Sequence, residues 1–306
     1  MIARLLILLL ISGAAQAFAS DLIYRSNGTT VSGRIVEADN QFVRIEVIFS
    51  ADRAPGVISI PRQDVVRLVI TADEKQQTII KRAAPTDLRE LLGLWNARKS
   101  LIALEGADSG EIGLAYANSL LNSEFANQHA ESLALFTFLE ANDPDEARVN
   151  RAKQGRLKAL IKLDRADEAV KDAMALVSEA EDPSILIEAK YVLAGAARGQ
   201  FDEIIEENPR WEEDIAVRPE RNRLYHEIID LYLFPFLFHG SEEEPSARGL
   251  VELADFLINT GDNTEARALL EDVLILYPET AFVEKAKALR EKLPKPETEE
   301  SDSNET

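Results

Sequence analysis

The residues of this sequence best suited to chemistry lie in the stretch HEIID, at positions 226–230. A helix that places two His one turn apart binds Zn²⁺ through both imidazoles and uses a Glu between them as the general base. Here His226 and Glu227 have that spacing, but Asp230 replaces the second His, and His239 is the nearest further ligand. The stretch therefore leaves a divergent metallohydrolase open as an alternative.

A surface helix is the favoured interpretation of the same stretch. The chain has only 3 His in 306 residues, which leaves few ligands for a metal site. On an amphipathic helix Ile228, Ile229 and Leu231 would face inward, while His226 and Glu227 would face water. The sequence has no G-x-S-x-G, P-loop or G-x-G-x-x-G motif, which nucleophile and nucleotide sites usually carry. We therefore predict no enzyme activity, no catalytic residue, no bound metal and no cofactor.

The overall charge argues against two classes of partner. The chain has 54 acidic and 34 basic side chains, a formal net charge of −20. Nucleic-acid binding depends mainly on Lys and Arg at the phosphates, and attachment to an anionic membrane surface needs the same excess of positive charge. We therefore predict that the chain binds neither. The absence of Cys also excludes disulfides, thiolate catalysis and Cys–metal sites.

Residues 1–19 have the features of an export signal. Arg4 precedes an apolar run at 5–11, and small residues follow it. Two cleavage positions fit the small-residue rule, one after Ala17 and one after Ala19. The apolar run is much shorter than the ~20 residues that cross a bilayer. We therefore predict a signal peptide over residues 1–19, secretion across the inner membrane and a soluble, periplasmic protein, with no transmembrane segment after cleavage.

A β-strand pattern extends over residues 20–72. Apolar and polar residues alternate in its first half, two short apolar runs follow at 57–60 and 65–70, and Asn-Gly and Asp-Asn pairs supply turns. Five strands of this kind are enough for a small closed barrel. The segments GRIVEADNQF and VISIPRQDVVRLVI resemble the Sm-like family, which implies a five-stranded barrel best known for binding RNA.

The resemblance to the Sm-like family fails at the positions that hold a base. The family has an Asn just after its acidic turn, where this chain has Val43 and Arg44. It also has an Arg-Gly pair before the last strand, where this chain has Pro61, Arg62 and Gln63. We therefore predict a small Sm-like β-barrel that is an accessory interaction or capping module and does not bind RNA.

The hydrophobic period becomes helical over residues 85–293. The clearest unit is ARGLVELADFLINTGDNTEARALLEDVLILYPET, at 247–280, and a weaker copy begins near residue 113. The matching positions of the clear unit are Leu250, Leu253, Ala254, Leu257, Ala266, Leu270 and Pro278. They resemble the repeat of the tetratricopeptide family, and residues 205–246 do not fit it. The resemblance implies a mainly α fold, in which an α-solenoid of helical hairpins follows the barrel.

In the tetratricopeptide family the first helix of each hairpin lines a concave, partner-binding surface. The residues that the resemblance places there are spaced three or four apart and so share one helix face. They are Arg248, Val251, Asp255 and Ile258, with Ser119 and Asn122 in the weaker copy. An ordinary solvated helix face is the alternative interpretation of this stripe.

These features together predict an exported, non-enzymatic scaffold that binds a protein or peptide partner in a tetratricopeptide-like groove. A structural envelope component that oligomerises through its solenoid is a further alternative, and homo-oligomers are compatible with either hypothesis.

Residues 231–240, LYLFPFLFHG, are expected to fill the core, with an apolar patch for a partner as the alternative. Residues 294–306 are acidic and lack apolar anchors, which predicts a disordered tail.

Overall fold

The computed structural model describes residues 20–49, 54–71 and 74–294. The predicted signal peptide, residues 1–19, lies outside these ranges, as does the predicted acidic tail after its first residue, Pro294.

The described chain is mainly helical, with an antiparallel sheet before the helices. It divides into two compact units. The first unit holds the described residues up to 116 together with 142–144, and the second holds 117–141 together with 145–294. The predicted fold class is therefore confirmed at this level, with strands first and helices after them.

The strands lie where the alternating pattern and the two short apolar runs predict them. They are β1 (Asp21–Arg25), β2 (Thr30–Ala38), β3 (Phe42–Val47), β4 (Gly56–Pro61) and β5 (Val65–Val69). All pair antiparallel, in the order β4-β3-β2-β1-β5. Because β4 and β5 are the two edges and do not pair with each other within the described residues, the sheet is not closed.

One face of the sheet covers a small apolar core. Ile23 of β1 packs in this core with Leu101, which lies beyond the sheet in the chain. At the start of β1 the buried carboxylate of Asp21 accepts hydrogen bonds from the backbone N–H of Ile35 (2.8 Å) and of Thr71 (2.9 Å). These bonds compensate the burial of the charge and tie β1 to the segments on both sides of it.

Eleven α-helices follow in the described residues, most of them joined by short connections. They are α1 (Glu74–Arg82), α2 (Leu88–Arg98), α3 (Ser109–Leu121), α4 (Ala126–Asn142), α5 (Glu146–Lys162), α6 (Ala166–Glu179), α7 (Pro183–Glu207), α8 (Arg218–Phe238), α9 (Glu243–Thr260), α10 (Asn263–Leu276) and α11 (Val283–Lys292). Helices of about 12–18 residues are expected from the pattern, but α7 has 25 residues and α8 has 21. The stretch LAGAARGQFDEIIEENP, at 193–209, has the turn of a weak repeat copy, yet α7 continues to Glu207. A glycine inside a helix costs only about 1 kcal/mol, which packing can offset.

In the second unit, helices that follow one another in the chain pack side by side from α5 to α11. The connection between α9 and α10 shows how two such helices come to pack closely. Gly261 ends α9 with a φ of 92°, a left-handed conformation that glycine adopts without strain. Ala254 and Ala266 are fully buried across this hairpin, so their small side chains allow the two helices to approach closely.

The stretch LYLFPFLFHG is divided between core and surface. Tyr232 and Pro235 are buried, and Phe236 packs half-buried against the core of the helical unit. Leu237 and Phe238, at the end of α8, are exposed instead. α8 continues through Pro235, and the backbone N–H of His239 donates to the Pro235 carbonyl (2.8 Å).

Candidate functional site

A groove with a volume of about 1010 Å³ crosses several helices of the second unit. Its lining side chains come from the ends of α3 and α5, the start of α6, and from α7, α8 and α9. α7 contributes more of them than any other helix. A smaller concavity of about 520 Å³ shares four residues with the groove. This shared cluster consists of Lys158, Glu188, Tyr191 and Arg248.

Small residues of α7 form part of the groove lining. Gly195 and Gly199 lie one helical turn apart, both exposed, with Ala196 beside them. A Cβ atom built on either glycine would meet no atom within 4 Å, so close packing among the described residues does not account for the absence of a side chain. Since each interior glycine costs a helix about 1 kcal/mol relative to alanine, α7 gives up stability here and leaves its backbone open to the groove.

A buried carboxylate organises the shared cluster. Glu188 of α7 is 8% exposed, and the Arg248 guanidinium of α9 donates to both of its oxygens, at 3.2 and 3.3 Å. The Lys158 ammonium of α5 lies 3.3 Å from the same carboxylate. Glu188 therefore links α7 to α5 and α9 through charges that compensate one another.

The aromatic side chain of Tyr191, on α7, supports this cluster. The Arg248 guanidinium carbon lies 4.2 Å from the centre of the Tyr191 ring, within range of a cation–π contact. The Tyr191 hydroxyl donates to the Pro245 carbonyl, and burial raises the pKa of that hydroxyl. Arg248 is thus held in place by a ring on one side and a carboxylate on the other.

A second polar pair lies further along α7 and α9. The Arg198 guanidinium donates to the Asp255 carboxylate at 2.8 Å. Burial alone would lower the pKa of Arg198, but the Asp255 carboxylate, together with Tyr232 and Asp202, offsets the burial and raises the pKa. Tyr232 of α8 is also hydrogen-bonded to Arg198, and burial raises the pKa of the Tyr232 hydroxyl. This pair links α7 to α9.

The structure separates the predicted groove residues into three groups. Arg248 and Asn122 line the groove. Val251 and Ser119 are 0% exposed, so they lie beneath the surface. The Asp255 carboxylate forms an ion pair with Arg198, and Ile258 packs half-buried against the core of the helical unit.

Other lining residues are missed by reasoning from the repeat alone. Glu188 and Lys158 lie on helices for which the repeat pattern is weak, and nothing local marks their pairing with Arg248. Gly195 and Gly199 do leave a signal in the sequence, because two glycines one turn apart are uncommon inside a helix. That spacing could have marked α7 as a helix with an open face.

The HEIID stretch is part of helix α8 and has an exposed side and a buried side. His226 and Asp230 are exposed, whereas Ile228 is fully buried in the helical core. The Glu227 carboxylate accepts from the Arg223 guanidinium at 2.5 Å. Among the described residues, no three His, Cys, Asp or Glu side chains come together in a way that could hold a metal ion.

In the first unit, the residues at the positions that would hold a base in an Sm-like protein contact other residues of the same unit. Val43 is fully buried in the sheet core. The Arg44 guanidinium lies 3.0 Å from the Glu37 carboxylate and 2.9 Å from that of Asp39. Arg62 donates to the Ser100 carbonyl. These side chains stabilise the unit itself.

Replacing Asp182 with alanine is expected to lower the free energy of unfolding by about 1 kcal/mol at neutral pH. Asp182 lines the smaller concavity and caps α7, because its carboxylate accepts from the backbone N–H of Ser184 (2.8 Å) and from the Asn150 amide (2.9 Å). Hydrogen bonds from Ser184 hold the pKa of Asp182 below its usual value. The measurement is urea unfolding of both proteins as a function of pH.

The sign of the pH dependence of this cap follows from the lowered pKa. A carboxyl with a lower pKa in the folded state contributes its full stability above the unfolded pKa of about 3.9 and loses it as the pH falls through the folded value. The difference between wild type and Asp182→Ala should therefore shrink below about pH 4. Asp182→Asn is the control, since Asn caps helices nearly as well at neutral pH. A difference that stays constant with pH would contradict the assignment.

Within the described part of the chain, no helix combines the length and the apolar character that crossing a membrane requires. A scan against models of protein families, a search of curated proteins and a search of solved structures each found no match to this chain.

Proposed function

We propose that this chain is an exported, non-enzymatic scaffold whose helical unit binds a segment of another protein in the groove. The observation that carries the proposal is the concavity of about 1010 Å³, to which α5, α7 and α9 all contribute lining residues. This volume is at the upper end of the roughly 300–1,000 Å³ typical of small-molecule pockets and suits a length of peptide chain. A groove that crosses several helices recognises a partner through many weak contacts rather than through one reactive group.

The tetratricopeptide-like interpretation of the helical unit belongs to this proposal. The α9–α10 hairpin supports it, since the positions that match the repeat, such as Leu250, Leu253 and Leu270, are all buried. The packing of each helix on the next in chain order supports it further. In such an array the first helices of successive hairpins line one surface, and α5, α7 and α9 are first helices here.

The sheet unit is proposed to be an accessory module of Sm-like type. The five antiparallel strands support this, and the buried Val43 and the internally paired Arg44 and Arg62 argue against RNA binding at that module. The proposed export and periplasmic location depend on residues 1–19 alone, whose composition fits a signal peptide.

Filling the groove tests the proposed function directly. Gly199→Trp places a large ring where no atom lies within 4 Å of a built Cβ, so the chain should fold while the groove is obstructed. We expect this variant to lose, by roughly tenfold, a partner that the full-length wild type recovers from an envelope extract. Recovery is measured by quantitative mass spectrometry after affinity capture.

Gly93→Trp is the matched control for this variant. Gly93 lies on α2 in the first unit, is exposed, and likewise has no atom within 4 Å of a built Cβ. The same substitution there should leave recovery unchanged. If Gly199→Trp recovers every protein that wild type and Gly93→Trp recover, in the same amounts, the groove is not the binding surface.

A further inference from the structure

The charge of the helical unit restricts what the groove can bind. Residues 117–141 and 145–294 contain 35 acidic and 20 basic side chains, a formal charge of −15. The groove itself is lined by four acidic and three basic side chains, and the smaller concavity adds three further acidic side chains and no further basic one. Their acidic lining residues are Asp167, Asp182, Glu188, Glu203, Glu242, Glu244 and Glu252, and their basic ones are Lys158, Lys162 and Arg248.

The unpaired charged groups of the groove lining, within the described residues, are two carboxylates and one ammonium group, that of Lys162. Two of the three basic side chains, Lys158 and Arg248, already lie against the Glu188 carboxylate. Asp167 at the start of α6 and Glu203 near the end of α7 are exposed and take part in no ion pair within the described residues. These two carboxylates remain available to a bound positive charge.

We propose that the groove receives a cationic, extended segment of a partner protein, with Lys or Arg side chains at Asp167 and Glu203 and its backbone over Gly195 and Gly199. This inference rests on the proposed function of the groove. The missing side chains at the two glycines let a second backbone approach α7 closely. Charge complementarity of this kind selects partners and accelerates association.

The same charges disfavour a segment of this chain as the occupant. Residues 295–306 contain five acidic side chains and one basic one, so they carry the same sign of charge as the groove. Like charges brought together cost free energy, and charge therefore disfavours the chain's own C-terminal segment as an occupant of this surface.

The test uses the full-length protein and two synthetic peptides labelled with fluorescein. One peptide repeats Lys-Leu-Ser, and the other repeats Glu-Leu-Ser at the same length. Fluorescence anisotropy should show binding of the Lys peptide only, with an affinity that falls as salt is added, because exposed charges are screened. Asp167→Asn together with Glu203→Gln should weaken binding of the Lys peptide by about tenfold.

A variant with the same change in net charge controls for general attraction to an acidic protein. Glu213→Gln with Asp230→Asn removes one Asp and one Glu charge at exposed positions outside the groove lining. This variant should bind the Lys peptide within about twofold of wild type. Equal weakening in both double variants, or tighter binding of the Glu peptide, would overturn the proposal.

The outcomes also separate this inference from the proposed function. If Gly199→Trp loses its partner while the Lys peptide does not bind, the groove binds a partner of different charge and only the cationic inference is wrong. If Gly199→Trp changes neither the partner nor the peptide, both are wrong. Loss of the Lys peptide in Gly199→Trp but not in Gly93→Trp supports both together.

Discussion

Replacing Phe256 with alanine is expected to lower the free energy of unfolding of the helical unit by about 4 kcal/mol. Phe256 of α9 is 1% exposed, and its ring meets that of Phe201 edge-on at a centroid distance of 5.1 Å. The Tyr225 ring of α8 lies 5.6 Å away. One side chain therefore joins α7, α8 and α9, and its removal leaves a cavity that three helices cannot close without moving.

Urea unfolding followed by far-UV circular dichroism measures this effect. Phe125→Ala is the matched control, because the Phe125 side chain is 62% exposed and its loss should change the free energy of unfolding by no more than about 0.5 kcal/mol. Similar losses for the two variants would show that Phe256 is not central to the packing of α7, α8 and α9.

Replacing Gly249 with alanine is expected to destabilise the helical unit by about 2 kcal/mol, although alanine is the better helix former by about 1 kcal/mol. Gly249 is buried in α9, where a Cβ would overlap the backbone carbonyl oxygen of Tyr232 and lie 3.0 Å from the Tyr191 hydroxyl oxygen. A carbonyl within a helix cannot move as a flexible side chain can. α8 and α9 would therefore have to separate, and the overlap outweighs the gain in helix propensity.

Gly195→Ala is the matched control for Gly249→Ala, with an expected change of opposite sign. Both positions are helical glycines of the second unit, but a Cβ at residue 195 meets no atom within 4 Å. Gly195→Ala should therefore raise the free energy of unfolding by up to about 1 kcal/mol. The same urea titrations compare both variants with wild type. Stabilisation by both substitutions would mean that α8 and α9 do not approach each other closely at residue 249.

The sequence alone determined those strands and helices whose formation depends on residues close together in the chain. Alternation of apolar residues predicted the earlier strands, because side chains along a strand point to opposite faces in turn, and two short apolar runs predicted β4 and β5. The spacing of Leu250, Leu253 and Leu257, followed by Gly261, predicted the α9–α10 hairpin. These features need only a few consecutive residues, so local pattern was sufficient for them.

Only the tertiary structure decided which faces of those elements stay open. Val251 and Arg248 share a helix stripe, yet Val251 is 0% exposed while Arg248 lines the groove. Whether the five strands close into a barrel was likewise not readable from their alternation, since closure depends on pairing between β4 and β5 at the two edges. The helix lengths were also misjudged, because packing carries α7 through its glycines.

The groove depends most clearly on contacts between residues that are far apart in the sequence. Glu188 meets Arg248 across 60 residues of sequence, and no local pattern marks that pairing. Gly195 and Gly249 are the same residue in the same kind of element, but one faces open space and the other the backbone of α8. A residue's helical period fixes its direction around its own axis. What it meets in that direction depends on how distant helices pack, because burial and charge pairing are set by the whole fold.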